Sequence, residues 1–269
     1  MSADIVAAGN VPATAFLTAL ARARATDDPD NLLRDPIAAR FAELCPTAIR
    51  GVTRHTAGAA VVVARTVLID RMLAELFARE SVDTCVNLGA GFDARPFRMA
   101  WPAHCQVIEV DSAPVLDLKD ELLPAATAGV PVERLRCDLR DTDRLTALLL
   151  PRTAGRLCVI LAEGLLTYLP QASVGALASA VAGVGMAADW ICDVLSPDSA
   201  RSLTRASQAA GAPLEMHGHT QLTLFEAAGW RCEQLELLPS ARLTKAAAGS
   251  RAAASSQLLP DSVLRLRRR

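Results

Sequence analysis

Two glycines and three carboxylates have the types and the order to do chemistry. A short apolar run, Thr84–Leu88, empties into Gly89-Ala90-Gly91, and about twenty residues later a second run, Gln106–Val110, ends in Asp111. Two further runs end in Cys137-Asp138-Leu139 and Ala162-Glu163-Gly164. Glycines in a strand-to-helix turn let backbone amides approach a ligand, and an acid at the next strand tip accepts hydrogen bonds from two ribose hydroxyls. The pattern predicts a ligand that contains a nucleoside. Gly89 to Ala94 also satisfies the relaxed dinucleotide fingerprint, so the turn by itself leaves NAD open.

These residues need a scaffold that brings strand ends together. From Pro12 to about Arg79, Ala, Leu and Phe recur three and four apart, with breaks at Asp27-Asp28-Pro29 and Asp35-Pro36, which predicts an N-terminal helical layer. After Ser81 short apolar runs alternate with helical stretches: Thr84–Leu88, Gln106–Val110, Val132–Cys137, Leu157–Ala162, Trp190–Leu195 and Arg231–Leu238. Such alternation predicts an α/β fold with a mostly parallel sheet covered on both faces. Residues 1–80 are expected to cap a core of residues 81–269 within one domain. Between the Trp190 strand and a helix expected at Gln221–Ala228 lies a polar segment, Ser196–His219, with Pro197 and Pro213. It is expected to cross the carboxyl ends of the strands as a substrate lid, near 196–219. The Ala-rich stretch Lys245–Ser256 is either compositional bias or a helix before a last strand, Ser262–Leu266.

Composition narrows the function classes. A chain of 269 residues that is 51% hydrophobic can bury one sizeable core. Its net charge of −1 leaves no electrostatic footprint for a polyanion, and the closing Arg-Leu-Arg-Arg-Arg is expected to be a solvated tail, so nucleic acid is not an expected partner. Only Lys119 and Lys245 are lysines among 28 basic residues, a bias of coding sequence that says little about chemistry. The seven cysteines stand singly without CxxC spacing, as buried small hydrophobes of a reducing cytosol do, and give no zinc site. No leader pattern and no apolar run of about 18 residues is present, so a cytoplasmic protein without a membrane partner is expected. The histidine pair His217 and His219 lacks further ligands for a metal; surface loop histidines are the expected reading, and a substrate contact or general base is the second.

Three features turn the nucleoside reading away from NAD. Some eighty residues of helix precede the glycine strand, whereas nicotinamide folds usually begin with it. Asp93 puts a carboxylate where a pyrophosphate needs amides and positive charge. The later strands also end in acids, and a carboxylate rim suits a ligand with ribose, adenine, an amine and a sulfonium. S-adenosyl-L-methionine is that ligand.

The blocks Val-Asn-Leu-Gly-Ala-Gly-Phe-Asp-Ala-Arg-Pro-Phe-Arg (86–98), Val-Ile-Glu-Val-Asp (107–111) and Ala-Glu-Gly-Leu-Leu-Thr-Tyr-Leu-Pro (162–170) resemble the leucine carboxyl methyltransferase family. The likeness is closer to its bacterial branch, which includes O-methyltransferases of polyketide pathways. Upstream, Thr14-Ala15, Arg22-Ala23, Arg34-Asp35-Pro36-Ile37-Ala38 and Ala64-Arg65-Thr66-Val67-Leu68-Ile69-Asp70 fit in order, and the likeness thins after Pro170 to Ala228-Gly229-Trp230.

The resemblance implies a class I methyltransferase, Rossmann-like, with a seven-stranded mostly parallel sheet. It also implies roles. Arg65 holds the cofactor's α-carboxylate; Gly89, Ala90 and Gly91 floor the methionine part; Asp111 takes the ribose hydroxyls, with Glu109 as its rival on the same strand face. Asp138 and Leu139 flank adenine, and Glu163 and Arg22 complete the contacts. Asp93 has two readings, the methionine amine or fixing the loop. Tyr168, the single tyrosine, either orients the methyl acceptor or packs against the lid.

The implied reaction is in-line methyl transfer, leaving S-adenosyl-L-homocysteine. A carboxylic acid of pKa about 4 is already ionised at pH 7, whereas a phenol of pKa about 10 gains from a base. With no clear base in the pattern, a small-molecule carboxylate of secondary metabolism is the expected acceptor and a hydroxyl the alternative. An NAD-dependent oxidoreductase and a non-catalytic S-adenosylmethionine-binding protein are the rival classes.

Overall fold

A computed structural model describes residues 11–46, 57–209, 214–219, 221–239 and 259–269. Its sheet has seven strands: β1 (Thr84–Leu88), β2 (Gln106–Asp111), β3 (Val132–Arg136), β4 (Leu157–Ala162), β5 (Met186–Val194), β6 (Trp230–Leu237) and β7 (Ser262–Arg268). Their spatial order is β3-β2-β1-β4-β5-β7-β6, and only β7 runs antiparallel to its neighbours. The chain order reverses beside β1, and that switch point opens a crevice at the carboxyl ends of the strands.

Burial on both faces explains why the inner strands read as continuous apolar runs. All five residues of β1 are buried, and alternation divides them. Val86 and Leu88 join one core cluster with Ile108, Val110, Ile160 and Trp190, whose ring meets those of Trp230 and Phe225 edge-on at 5.6 and 5.4 Å. Cys85 joins the opposite cluster, against Ile69, Met72, Leu73 and Leu76 of one long helix.

That helix belongs to the N-terminal layer, which consists of α1 (Ala13–Asp27), α2 (Ala38–Glu43) and α3 (Ala57–Arg79). The remaining described α-helices are α4 (Arg95–Arg98), α5 (Ala113–Leu122), α6 (Thr142–Thr153), α7 (Gln171–Ala182), α8 (Pro197–Ala209) and α9 (Thr223–Glu226). A third cluster joins the layer to the glycine turn. Phe92, the residue after Gly91, stacks on Phe41 of α2 with centroids 4.3 Å apart and meets Phe16 of α1 edge-on at 5.2 Å. The turn is thus clamped from outside the sheet.

Three expectations change. The polar stretch after β5 is a helix, α8, for thirteen residues: its proline sits at the first helical position, where no amide is needed, and Asp198 complements the dipole. The helix expected at Gln221–Ala228 is shorter, Thr223–Glu226. The basic C-terminus is no solvated tail. It continues β7 to Arg268, and Arg267 pairs with Glu80 and with Asp189, whose carboxylate is fully buried. The Lys245–Ser256 stretch lies outside the described residues. No described helix is long and apolar enough to cross a membrane.

Candidate active site

The crevice at the strand ends is a cleft of about 1730 Å³, and every residue expected at the site borders it: Arg22, Arg65, Gly89, Ala90, Gly91, Asp93, Asp111, Asp138, Leu139, Glu163 and Tyr168. The strand tips bring together positions far apart in sequence.

The floor is the glycine turn. Gly89 and Gly91 have φ of +65° and +42°, which L side chains rarely adopt. A Cβ on Gly89 would come within 3.1 Å of Leu165, while at Gly91 it would have room and intrude on the cleft. The Gly91 amide donates to Asp111 Oδ2 at 2.7 Å and the Ser112 amide to Oδ1 at 2.6 Å. Burial raises the Asp111 carboxyl above its ordinary pKa, and these two amides oppose the shift. A carboxylate has about four lone-pair sites, so Asp111 keeps acceptor capacity toward the cleft. Its rival Glu109 is fully buried, held by Lys119 Nζ at 2.7 Å and Arg134 Nε at 2.8 Å, and does not border the cleft.

Beside the floor lies a network of alternating charge. Arg65 donates from Nε to Glu163 Oε1 and from Nη1 to Asp193 Oδ2, both at 3.1 Å. Glu163 also accepts from Thr66 Oγ1 at 2.7 Å and pairs through Oε2 with Arg95 Nη1 at 2.7 Å. Arg95 in turn holds Asp93 at 2.9 Å and Asp70 at 2.6 Å. Burial works against ionising Glu163, yet the Arg95 and Arg65 guanidiniums outweigh it and hold the carboxyl far below the usual range. Asp93 is likewise lowered, with burial overcome by Arg95 and Lys119. Asp193 is raised, because burial exceeds what Arg65 and the Gly164 amide return.

The recorded contacts of Asp93 lie within the protein. Its oxygens accept from Asn87 Nδ2 at 2.8 Å, from the Arg95 amide at 2.9 Å and from the Arg95 guanidinium, so it ties β1 to α4 and fixes the loop. Arg22 also makes contacts within the protein: Nε donates to Asp35 at 2.9 Å and Nη2 to the Phe92 carbonyl at 2.7 Å, while Arg24 faces outward. Asp138 is gripped by Arg140 at 2.6–3.1 Å on the exposed rim, with Leu139 beside it. Burial raises the Tyr168 phenol, and a hydrogen bond with Thr14 is among the opposing effects.

Arg95, Thr66 and Asp193 were not singled out from sequence. Arg95 sits inside the glycine-turn block, but its role depends on partners elsewhere. Asp193 had a usable signal: it is an acid inside an otherwise apolar strand, Trp190-Ile-Cys-Asp-Val-Leu195. The histidines are corrected. His219 is buried, not a surface residue; its Nε2 lies 2.8 Å from the Leu166 carbonyl, and burial lowers its pKa. The His217 amide donates to the Thr167 carbonyl, and neither histidine borders the cleft. Among the described residues no group of His, Cys, Asp or Glu gathers as a metal site.

The leucine carboxyl methyltransferase family model matches residues 15–182, the stretch that carries the glycine turn, the arginine network and Tyr168. The chain belongs to the leucine carboxyl methyltransferase family. A relative assigned to the S-adenosyl-L-methionine-dependent methyltransferases in Frankia alni is 30% identical over 252 residues, covering 88% of each chain. One of Streptomyces coelicolor is 36% identical over 177 residues, and one of Streptomyces avermitilis 34% over 173; each alignment covers 60% of this chain and 61% of the relative. In three dimensions the fold is similar to a DUF574 family protein of Streptomyces avermitilis, with TM-score 0.61, 15% identity, and 93% and 97% of the two chains covered. It is also similar to magnesium protoporphyrin IX methyltransferase of Synechocystis, solved with bound S-adenosylhomocysteine, at TM-score 0.54 and 14% identity, covering 82% and 93%. The cofactor of the family is S-adenosyl-L-methionine. The residues fit it: glycines leave the turn open, Asp111 keeps acceptor capacity at the β2 tip, and the buried Arg65 borders the same cleft.

Proposed function

We propose that the chain transfers the methyl group of S-adenosylmethionine to a carboxylate oxygen of a small molecule of bacterial secondary metabolism, in the cytoplasm. The observation that carries the reading is that the carboxylates deepest in the cleft are already committed. Asp93, Glu163 and Asp193 each face an arginine, and neither His217 nor His219 borders the cleft. With no uncommitted base among them, an acceptor that arrives ionised is favoured over a phenol or an alcohol.

In this reading Arg65 faces the cofactor's α-carboxylate, Gly89 to Gly91 its methionine arm and Asp111 its ribose, while Asp138 and Leu139 border adenine. Bound S-adenosylmethionine supplies an electrophilic methyl on a sulfonium. The acceptor oxygen forms the new C–O bond as the S–C bond breaks; its electron pair stays on sulfur, and no proton moves. The protein's part is to align the acceptor and exclude water, and such near-attack positioning can supply roughly 7–11 kcal/mol. Glu163 and Asp93 serve by keeping the arginines and the loop rigid. A cleft of about 1730 Å³ exceeds the roughly 300–1,000 Å³ of a site for one small ligand, which supports a cofactor and an acceptor side by side.

The test is binding followed by turnover. S-adenosylhomocysteine should raise the melting temperature and NAD should not; stabilisation by NAD alone would favour an oxidoreductase. Incubation of S-adenosylmethionine with a panel of carboxylic acids, phenols and alcohols should give methyl esters by mass spectrometry. Binding of S-adenosylhomocysteine with no methylated product from any member would overturn the catalytic reading.

A further inference from the structure

The helices around the cleft line it with Leu17 and Thr18 of α1, Val61 and Val62 of α3, and Leu203 of α8, joined by Met216. Several polar groups stand among these walls. The structure directs them elsewhere. Thr18 Oγ1 donates to the Ala15 carbonyl at 3.0 Å, Ser199 Oγ to Asp261 Oδ2 at 2.6 Å, and Ser207 Oγ to the Thr204 carbonyl at 2.8 Å. Two cations that border the cleft, Arg22 and Arg65, are held by Asp35 and by Glu163 and Asp193. Hydroxyls whose protons are used within the protein present mainly their carbon faces, so these walls offer hydrocarbon and no uncommitted charge among the groups named.

Such a chamber discriminates by what it lacks. A zwitterionic acid or a phosphorylated acceptor would lose water from its second charge and gain no partner, a cost of several kcal/mol for an unpaired buried ion. An apolar body gains about 0.8 kcal/mol for each methylene buried. Resting on the methyl-transfer reading above, we infer that the acceptor is a monocarboxylic acid with a long or ring-bearing apolar body. The body lies between α1, α3 and α8, and the carboxylate points toward the glycine turn.

Equilibrium binding tests this without relying on turnover. The protein saturated with S-adenosylhomocysteine is titrated calorimetrically with straight-chain acids from butanoate to decanoate, below their micelle concentrations, and with leucine as the zwitterionic comparison. Affinity should rise about fourfold per methylene until the chamber is filled, and leucine should bind more weakly than hexanoate. Affinity that stays flat along the series, or leucine binding as tightly as hexanoate, overturns the inference. Leu203→Glu places a charge in the wall and should weaken decanoate more than about tenfold, with S-adenosylhomocysteine affinity reporting an intact fold. Unchanged decanoate affinity in that variant also overturns it. If the long acids bind with this gradient but are not methylated, the chamber stands and the proposed reaction falls.

Discussion

Arg65 and Asp193 lie 128 positions apart and meet at 3.1 Å, while the other oxygen of Asp193 takes the Gly164 amide at 2.6 Å. The aspartate therefore fixes both the arginine and the turn beneath it. Gly164 has φ +65°, and a Cβ there would stand 2.9 Å from Arg65 Nη2, so the guanidinium lies flat on a glycine that no side chain could replace without displacing it. Asp193→Asn keeps the shape but removes the charge. We expect S-adenosylhomocysteine affinity to fall about tenfold, which is about 1.4 kcal/mol. Calorimetric titration checks this; unchanged affinity would remove Asp193 from the positioning of Arg65.

Glu163 sets an acid limit on stability. Its folded-state pKa is depressed, because Arg95 and Arg65 outweigh burial, so it stabilises the fold above the ordinary carboxylate range of about 4.5. That stability is lost progressively as pH falls from there toward the depressed value. Urea unfolding at pH 7 and pH 4 should show a smaller acid loss for Glu163→Gln than for the unmodified protein. At pH 7 the variant should be less stable by about 3–5 kcal/mol, the cost of stranding buried charges.

Asp111 and Glu109 should divide binding from stability. Asp111→Asn should weaken S-adenosylhomocysteine more than about tenfold, through lost ribose contacts, and lower the melting temperature modestly, because its NH2 would face one of the two backbone amides that the carboxylate accepts. Glu109→Gln should do the reverse, since it strands the buried Lys119 and costs about 3–5 kcal/mol without touching the cleft. Thermal unfolding and titration of both variants decide it, and equal losses of cofactor affinity would contradict the division.

The proposed acceptor carries its own pH signature. For a carboxylic acid, kcat/KM should be flat between about pH 6 and 8, because an acid of pKa about 4 is ionised throughout. A limb rising with pH toward about 10 would instead report a phenolic acceptor losing its proton.

Much of this was legible in the order of residue types. The inner strands bury both faces and so read as unbroken apolar runs, and the turn with its acidic strand tips needs only local spacing to be seen. Asp111 and Glu109 could not be separated that way, since positions two apart share a face; they differ in depth, with Lys119 and Arg134 reaching Glu109 and two backbone amides reaching Asp111. The helix at 197–209 was obscured by its leading proline and polar residues, because much of what holds a helix comes from packing against the rest of the fold. Likewise no local pattern shows that Arg65 meets Glu163 and Asp193, or that Ser199 and Ser207 direct their protons to Asp261 and the Thr204 carbonyl. The sequence by itself determined the sheet, the turn and the cofactor class, which follow from near neighbours along the chain. Which charges are committed, and so what the cleft can still accept, was decided only by the tertiary structure, because ion pairs and burial join residues a hundred positions apart.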